Sequence, residues 1–187
     1  MEPVTLRTER LELSIPVASD TAAIYAACQD PGIQRYTTVP SPYERHHAEE
    51  FIPRVAAGWA AGSELTWAIR DAGALSGVVG LFHVANGAAE LGYWTAPEAR
   101  GRGLLTEAAR AVLDWGFSDD GLGVARVEWR AVVGNVASAR AARALGFRYE
   151  GLLREALPNP RGRDDGWIAG LLRDDDRMPQ RWPVLEP

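Results

Sequence analysis

The chain has 187 residues, 47% of them apolar and 24% charged, a length and balance typical of one domain with a well-packed core. Its net charge of −5 argues against a general nucleic-acid-binding protein, and no apolar stretch is long enough to cross a membrane. A single cysteine, Cys28, excludes an intramolecular disulfide and a cysteine-cluster metal site. The N-terminus lacks a signal-peptide pattern, so we expect a cytoplasmic, single-domain protein over residues 1–187 with an irregular tail from 178.

All 20 basic residues are arginine, which excludes a P-loop lysine and a Schiff-base lysine in their usual forms. Residues 100–148 carry eight arginines against five acidic residues, so this stretch is basic within an acidic protein. Such a local excess suits a compact polyanionic ligand better than a long nucleic acid. The alternative is that surface arginines cluster here by chance.

The first half of the chain predicts one strand, two helices and an antiparallel meander. Alternating apolar residues indicate a strand over 6–15, Asp20 can cap a helix that runs to about residue 29, and a second helical pattern covers 48–61. Three strands follow, at 65–70, 77–84 and 89–95. The Asp-x-Gly and Asn-Gly turns between these strands are typical of hairpins.

The second half alternates helices and strands. A helix with one apolar face is predicted over 104–117, a strand over 124–133 and a helix over 135–145. The last two strands are expected at 147–153 and 166–172. This order predicts an α+β, three-layer fold in which a mixed, mostly antiparallel sheet of six to seven strands has helices on both faces.

A strand, a glycine-punctuated loop and a helix follow one another directly over residues 93–107. Helix N-termini bind phosphate through free N–H groups and the positive end of the helix dipole. Gly101 and Gly103 let a ligand approach the backbone, and Arg100 and Arg102 add charged donors. The segment therefore predicts a pyrophosphate cradle formed by the N–H groups of the loop and the first helical turn.

Three interpretations of this loop compete. The simplest is an ordinary glycine-rich turn with surface arginines. The spacing Gly101-x-Gly103-x-x-Thr106 also approaches a dinucleotide fingerprint, but its third small residue is threonine and three hairpin-joined strands precede it. The third interpretation is the coenzyme A loop of the GNAT acetyltransferases.

Several motifs in the correct order resemble the ribosomal-protein N-terminal acetyltransferase branch, the RimJ/RimL type, of the GNAT superfamily. They are Glu90-Leu91-Gly92-Tyr93-Trp94, Arg100-Gly101-Arg102-Gly103, Thr106-Glu107-Ala108, Asn135-x-x-Ser138, the opening strand 6–13, Ala144-Leu145-Gly146-Phe147 and the strand 150–155. The resemblance covers about residues 4–175 and implies the GNAT fold with acetyl-CoA as co-substrate and no metal.

In the family, the strand before the loop hydrogen-bonds the pantetheine arm of the cofactor, and an asparagine that corresponds to Asn135 contacts the same arm. Leu105 departs from the family pattern, which ends the loop with a small residue. The cofactor-binding residues implied by the resemblance are Tyr93, Trp94, Thr95, Arg100, Gly101, Arg102, Gly103, Leu104, Leu105, Thr106, Asn135, Ser138 and Arg143.

The candidate catalytic residues are Ser138, whose role the resemblance implies, and Glu90 and Glu155. Ser138 would place a hydroxyl near the thioester sulfur, although a serine at a helix start also serves as a local hydrogen-bond partner, and Tyr149 is an alternative donor. Glu90 and Glu155 are the candidate bases for the proton of the attacking ammonium group. His83, on a neighbouring strand, could relay that proton.

The expected function is transfer of an acetyl group from acetyl-CoA to a primary amine, on a protein N-terminus or a small molecule, by direct attack on the thioester. A longer donor such as succinyl-CoA and a non-catalytic CoA-binding regulator are the alternatives. The acceptor groove is expected at 35–54 and 158–165, where Tyr36, Tyr43 and several carboxylates would suit a cationic amine. No membrane or direct nucleic-acid partner is expected, and a homodimer is left open.

Overall fold

The computed structural model describes residues 1–159 and 162–185. Within these residues the strands are β1 (Leu6–Arg7), β2 (Leu11–Ser14), β3 (Leu65–Asp71), β4 (Ala74–Ala85), β5 (Ala88–Thr95), β6 (Arg126–Val132), β7 (Arg148–Asn159) and β8 (Gly162–Leu172). The α-helices are α1 (Thr21–Ala27), α2 (Pro31–Tyr36), α3 (Arg45–Ala61), α4 (Leu104–Phe117) and α5 (Val136–Ala144). None of the described helices is long and apolar enough to cross a bilayer.

The strands form one sheet in the order β1-β2-β3-β4-β5-β6-β8-β7. β5 and β6 run parallel, joined by the crossover helix α4, and the other described neighbours pair antiparallel. The predicted mixed, mostly antiparallel sheet is therefore confirmed. It has eight strands rather than six to seven, because the first predicted strand is two strands.

The chain reverses within the segment 6–15, where one continuous strand was predicted. The Thr8 N–H donates to the Leu11 carbonyl at 3.0 Å, which closes a tight turn. Glu107, in the first turn of α4, accepts from the Thr8 hydroxyl at 2.5 Å and from Arg10 Nε at 2.7 Å. The Thr8 hydroxyl and the Arg10 guanidinium hold the pKa of Glu107 below its ordinary value, so an ionised carboxylate ties this turn to the helix.

The segment Asp30-Pro31-Gly32, predicted to end a helix, begins another one. The Asp30 carboxylate accepts from the Ile33 N–H at 2.9 Å, and Pro31 occupies the first helical position of α2. A carboxylate at the N-cap followed by proline is a favourable helix start, which explains why six residues suffice for a short helix. The predicted second helix also begins earlier, at Arg45 instead of Ala48.

Both faces of the central strands are buried. Trp67 pairs with Val79 on one face and Ala68 pairs with Val78 on the other, and none of the four is more than 3% exposed. Helices therefore cover both faces of the sheet, as predicted. The longest of the C-terminal helices, α4, packs on β4 and joins the parallel pair whose ends form the site described below.

The C-terminal segment from residue 178, predicted to be irregular, packs onto the core through Trp182. The Trp182 indole is fully buried, donates its N–H to the Phe147 carbonyl at 3.1 Å and lies 5.5 Å from the Trp129 ring. A short 3-10 turn, Pro183–Leu185, follows it. This segment thus closes the core beside β6.

A buried ion pair joins Asp20 to Arg70 on β3. The guanidinium donates to both carboxylate oxygens, at 2.8 and 2.7 Å, and the two side chains are 7% and 14% exposed. Burial raises the pKa of Asp20, but hydrogen bonds from Arg70 and from the Val17 N–H outweigh it, so the pKa lies below its ordinary value. Folding therefore favours the ionised carboxylate.

We expect Asp20→Ala to lower the free energy of unfolding by about 3 kcal/mol at neutral pH, because it leaves the Arg70 charge buried without its partner. The contribution of Asp20 is complete above its unfolded pKa, about 3.9, and is lost as the pH falls through the lower folded value. Urea unfolding from neutral to acid pH checks both statements. Glu49→Ala, which removes an exposed pair with Arg45, should cost less than about 1 kcal/mol. Equal losses in the two variants would contradict the prediction.

Candidate active site

The ladder between the parallel strands β5 and β6 ends before the strands do. Its last register pair is Leu91 with Trp129, yet β5 continues to Thr95 and β6 to Val132. Beyond this pair the β5 edge over 92–95 has no register partner on β6, and the region between the two strand ends is called the slot below. An extended ligand arm can hydrogen-bond to such an edge in the way that an added strand would. The family resemblance implied that Tyr93, Trp94 and Thr95 on this stretch of β5 hydrogen-bond the pantetheine arm of the cofactor.

The loop between β5 and α4 ends in two glycines with left-handed backbone conformations. φ is 74° at Gly101 and 76° at Gly103, and a Cβ at Gly103 would meet the Arg10 guanidinium at 3.8 Å. Gly103 is the N-cap of α4 and has no side chain with which to cap it. The N–H groups of Leu104, Leu105 and Thr106 therefore point out of the helix toward this space, as an anion site requires.

Both loop arginines are held by carboxylates of other elements. Arg100 donates to Asp30 at 2.7 and 3.3 Å and to the Thr95 carbonyl at 3.3 Å, while Arg102 donates to Asp71 at 2.5 Å. The Arg100 guanidinium holds the pKa of Asp30 below its ordinary value. In this arrangement the two arginines brace the loop, and the backbone N–H groups of α4 are the donors that face outward.

Ser138 lies at the third position of α5, beside the slot. Asn135 is the N-cap of α5, and its side-chain oxygen accepts from the Ser138 N–H at 3.3 Å. The Ser138 hydroxyl oxygen lies 2.9 Å from the Tyr93 hydroxyl and 3.1 Å from Trp129 Nε1, so residues of β5, β6 and α5 meet at this oxygen. Burial raises the pKa of Tyr93 against the effect of these hydrogen bonds, so the phenol is protonated at neutral pH.

Glu90 lies at the base of the slot, on the opposite sheet face from Tyr93, because strand residues alternate between faces. Its carboxylate is 3.4 Å from His83 Nδ1 and 3.8 Å from Arg130 Nε. The side chain is 24% exposed and therefore accessible to solvent. A base at Glu90 would act from the face opposite to Ser138, with His83 as its neighbour.

Glu155 lies in a bulge of β7, between the register positions of Leu153 and Leu157, and its side chain is exposed. Its φ of 48° is left-handed, and its N–H donates to the Asp165 carboxylate at 2.7 Å. Because β8 lies between β7 and β6, Glu155 is two strands from the slot, roughly 10 Å. The structure does not bring Glu155 and Glu90 together.

Two further residues with predicted cofactor roles lie at the borders of this region. Trp94 is half-buried on the sheet face that it shares with Glu90. Arg143 lies in the last turn of α5, five residues beyond Ser138, which corresponds to about 7.5 Å along the helix axis. The slot and the N-terminus of α4 therefore hold the majority of the predicted residues, and Arg143 lies away from both.

The short helix α2 bridges the predicted cofactor and acceptor regions. Its N-cap, Asp30, pairs with Arg100 of the loop, and Arg35 near its end donates to both oxygens of Asp164 on β8. A Cβ at Gly134, just before α5, would lie 3.9 Å from the Tyr36 hydroxyl. The segments 35–54 and 158–165, predicted to form an acceptor groove, thus meet through Arg35 and Asp164; residues 160 and 161 lie outside the described residues.

Tyr43, named from the sequence as an aromatic residue for the acceptor, is buried. It is 5% exposed, and its hydroxyl interacts with the Cys28 thiol. Tyr36 is half-buried, with the Arg35 guanidinium 5.3 Å from its ring centroid. Of the two tyrosines, only Tyr36 is therefore in a position to contact a ligand.

Sequence reasoning did not identify Trp129 or α2. A tryptophan on a buried strand face looks like an ordinary core residue, and nothing in its local sequence marks its N–H as part of a site. The start of α2 did have a signal, because Asp30 followed by Pro31 is a typical N-cap and first helical position. The prediction that this segment ends a helix is therefore wrong, because Asp30 caps the start of α2.

These features fit coenzyme A, which combines a pyrophosphate with an extended amide-bearing arm and a terminal sulfur. The outward N–H groups at the start of α4 suit the pyrophosphate, the unpaired edge of β5 suits the arm, and the Ser138 hydroxyl lies beside the slot that the arm would follow. Within residues 1–159 and 162–185, no group of three or more His, Cys, Asp or Glu side chains lies where it could hold a metal ion.

Comparisons with known proteins agree with this geometry. A family model described as an acetyltransferase (GNAT) domain matches residues 10–148. The chain is 31% identical to the uncharacterized N-acetyltransferase YoaA of Bacillus subtilis (strain 168) over 156 residues, which are 81% of this chain and 87% of that protein.

Solved structures of related fold include complexes with coenzyme A. RimL, a ribosomal L7/L12 α-N-protein acetyltransferase in complex with coenzyme A, superposes with a TM-score of 0.82 at 20% identity over 92% of this chain and all of its own. RimJ of Mycobacterium smegmatis superposes with a TM-score of 0.79 at 21% identity over 91% of this chain and 86% of its own. Since the family model spans most of the chain, the protein belongs to the GNAT acetyltransferase family, with RimL and RimJ among its structural neighbours.

Proposed function

We propose that the protein transfers the acetyl group of acetyl-CoA to the primary amine of a protein N-terminus or a small molecule. The observation that carries this proposal is the unpaired edge of β5 over 92–95, which leads into the loop before α4 and whose Tyr93 hydroxyl contacts the Ser138 hydroxyl. The structural neighbour RimL is an α-N-protein acetyltransferase whose structure contains coenzyme A, which supports both the donor and an α-amine acceptor.

Bound acetyl-CoA would supply a thioester whose carbonyl carbon gains a bond to the amine nitrogen, while its carbon–sulfur bond breaks and the electron pair remains on sulfur. The N–H groups at the start of α4 would bind the pyrophosphate, and the edge of β5 over 92–95 would orient the arm. A backbone N–H of β5 near Trp94 or Thr95 would donate to the carbonyl oxygen. The Ser138 hydroxyl would donate to the departing sulfur.

The proton released by the attacking amine needs an acceptor on the other side of the slot. Glu90 suits this role better than Glu155, because it lies on β5 at the base of the slot while Glu155 is two strands away. His83 is 3.4 Å from the Glu90 carboxylate and exposed, so it can pass the proton to solvent. Ser138 and Glu90 would thus act from opposite faces of the sheet.

The experiment is thiol release from acetyl-CoA in the presence of a panel of peptides and small amines. Release that requires the amine supports the proposal, and the same panel with succinyl-CoA identifies the preferred donor. Tight CoA binding with no release for any amine would contradict catalysis and favour a CoA-binding regulator.

We expect a preference for cationic amines. Outside residues 100–148 the chain carries an excess of acidic residues, and their combined negative electrostatic potential attracts cations. At the predicted acceptor groove itself, the charge of Asp164 is neutralised by Arg35. Activity with a polyamine should fall severalfold as salt rises toward about 1 M, where the Debye length is about 3 Å. A neutral amine of similar size serves as the control. A salt-independent rate, with neutral amines preferred, would contradict this prediction and leave acetyl transfer intact.

A further inference from the structure

Three polar atoms form a closed triangle beside the slot. The Ser138 hydroxyl oxygen is 2.9 Å from the Tyr93 hydroxyl and 3.1 Å from Trp129 Nε1, and the last two atoms are 3.2 Å apart. Trp129 is 1% exposed, so its indole is fixed by the core. The triangle joins β5 and β6 to α5 at the point where the β5–β6 ladder ends.

The chemistry of these groups limits the directions in which their hydrogen bonds can run. The indole N–H of Trp129 can only donate, whereas the Tyr93 and Ser138 hydroxyls each donate once and also accept. In one arrangement the Tyr93 hydroxyl donates to the Ser138 backbone carbonyl, 3.2 Å away, and accepts from the Ser138 hydroxyl. In the other arrangement, which the inference below requires, Trp129 and Tyr93 both donate to the Ser138 hydroxyl oxygen and occupy its two acceptor positions. The remaining hydrogen of Ser138 then points away from both of them and is available to a third group.

We propose that Tyr93 and Trp129 are positioning residues that hold the Ser138 hydroxyl so that its hydrogen faces the sulfur of the bound donor. This inference rests on the proposed function, because it requires a thioester sulfur beside Ser138. The raised pKa of Tyr93 keeps its phenol a donor throughout the neutral range. Ser138 also lies in the first turn of α5, where the helix dipole favours the negative charge that develops on sulfur.

Removal of either donor frees the Ser138 hydroxyl to rotate. In a smaller fraction of the enzyme molecules the hydroxyl then points at the sulfur when the carbon–sulfur bond breaks. A hydrogen bond to an anion is stronger than one between neutral groups, so the loss should appear in kcat and not in the KM for acetyl-CoA. We expect Tyr93→Phe, which removes one oxygen, to lower kcat about fivefold to tenfold with KM within about twofold. Trp129→Phe should act in the same direction.

Coupling to Ser138 separates positioning from a structural effect. In a Ser138→Ala background, Tyr93→Phe and Trp129→Phe should lower kcat no further, because the group they orient is absent. The matched controls are Tyr25→Phe on α1 and Trp182→Phe, which removes a fully buried indole 5.5 Å from Trp129. They should leave kcat within about twofold, even if Trp182→Phe lowers the melting temperature. Multiplicative losses in the double variants, or a wild-type kcat in Tyr93→Phe, would overturn the inference.

A binding measurement tests the triangle without any acceptor. Coenzyme A and desulfo-CoA differ by the sulfur, so the ratio of their affinities isolates the contribution of that atom. We expect wild type to prefer coenzyme A, and Tyr93→Phe, Ser138→Ala and the double variant to lose this preference to the same extent. If Tyr93→Phe kept the wild-type preference for coenzyme A over desulfo-CoA, the inference would be overturned and the proposed function would stand. Failure of both probes to bind wild type would contradict the proposed function, and the inference with it.

Discussion

Gly103→Val should raise the KM for acetyl-CoA tenfold or more, equivalent to a loss of about 1.4 kcal/mol of binding free energy. Gly103 is the N-cap of α4 with a φ of 76°, and a branched side chain there would fill the space in front of the helix N-terminus. The N–H groups of residues 104–106 could then no longer approach a pyrophosphate. Steady-state kinetics and calorimetric titration of coenzyme A measure the effect directly.

Gly62→Val is the matched control, because Gly62 has a φ of 69° at the end of α3 and open space around its Cβ position. Both variants force a branched residue into the left-handed region, so both should lose stability by about 1–2 kcal/mol. Only Gly103→Val should weaken coenzyme A binding. Normal coenzyme A affinity in a folded Gly103→Val protein would remove the basis for a cradle at α4.

Ser138→Ala should lower kcat about 10- to 100-fold while the KM for acetyl-CoA changes by less than about twofold. The hydroxyl would donate to sulfur as the carbon–sulfur bond breaks, so its removal costs stabilisation in the transition state and little in the ground state. The neighbouring cap is preserved, because the Ser138 N–H still donates to Asn135.

Ser118→Ala provides the same chemical change at another helix end, where the hydroxyl accepts from the Asp120 N–H at 3.2 Å. This control should leave kcat unchanged. Were Ser138→Ala to lose thermal stability but keep a normal turnover number, Ser138 would be a structural residue of α5, and the donor to sulfur would have to be another group.

Elements with strong local signals could be predicted from the sequence. α4 spans Leu104–Phe117, as predicted, because its apolar period is regular and a glycine precedes it. The hairpin turns at residues 71–73 and 86–87 also lie where their glycines indicated. These features depend on interactions between residues that are close in sequence, so a local sequence pattern can predict them.

Features that depend on distant partners could not be predicted. The reversal at residues 8–10 is held by Glu107, about a hundred residues away, so alternating apolar residues alone indicated one strand. The hairpin of β7 and β8 is longer than predicted because a bulge at Glu155 lets the pairing continue to Asn159.

The candidate site also contains some residues that local motifs predict and others that depend on distant partners. The loop glycines and Ser138 belong to short motifs whose order along the chain identified the family and predicted acetyl-CoA as co-substrate. The role proposed for the Trp129 N–H depends on two partners on other elements, at sequence separations of 36 and 9 residues. Nothing local distinguishes that tryptophan from one that merely fills the core.

The most direct measurement of the central claim is mass spectrometry of an amine incubated with acetyl-CoA and the protein, combined with thiol quantification in the same sample. Acetyl transfer predicts one acetylated nitrogen for each thiol released, for at least one peptide or small amine of the panel, with both signals reduced together in Ser138→Ala. An unmodified amine, with coenzyme A bound to the protein and no thiol released by any acceptor, would contradict the account.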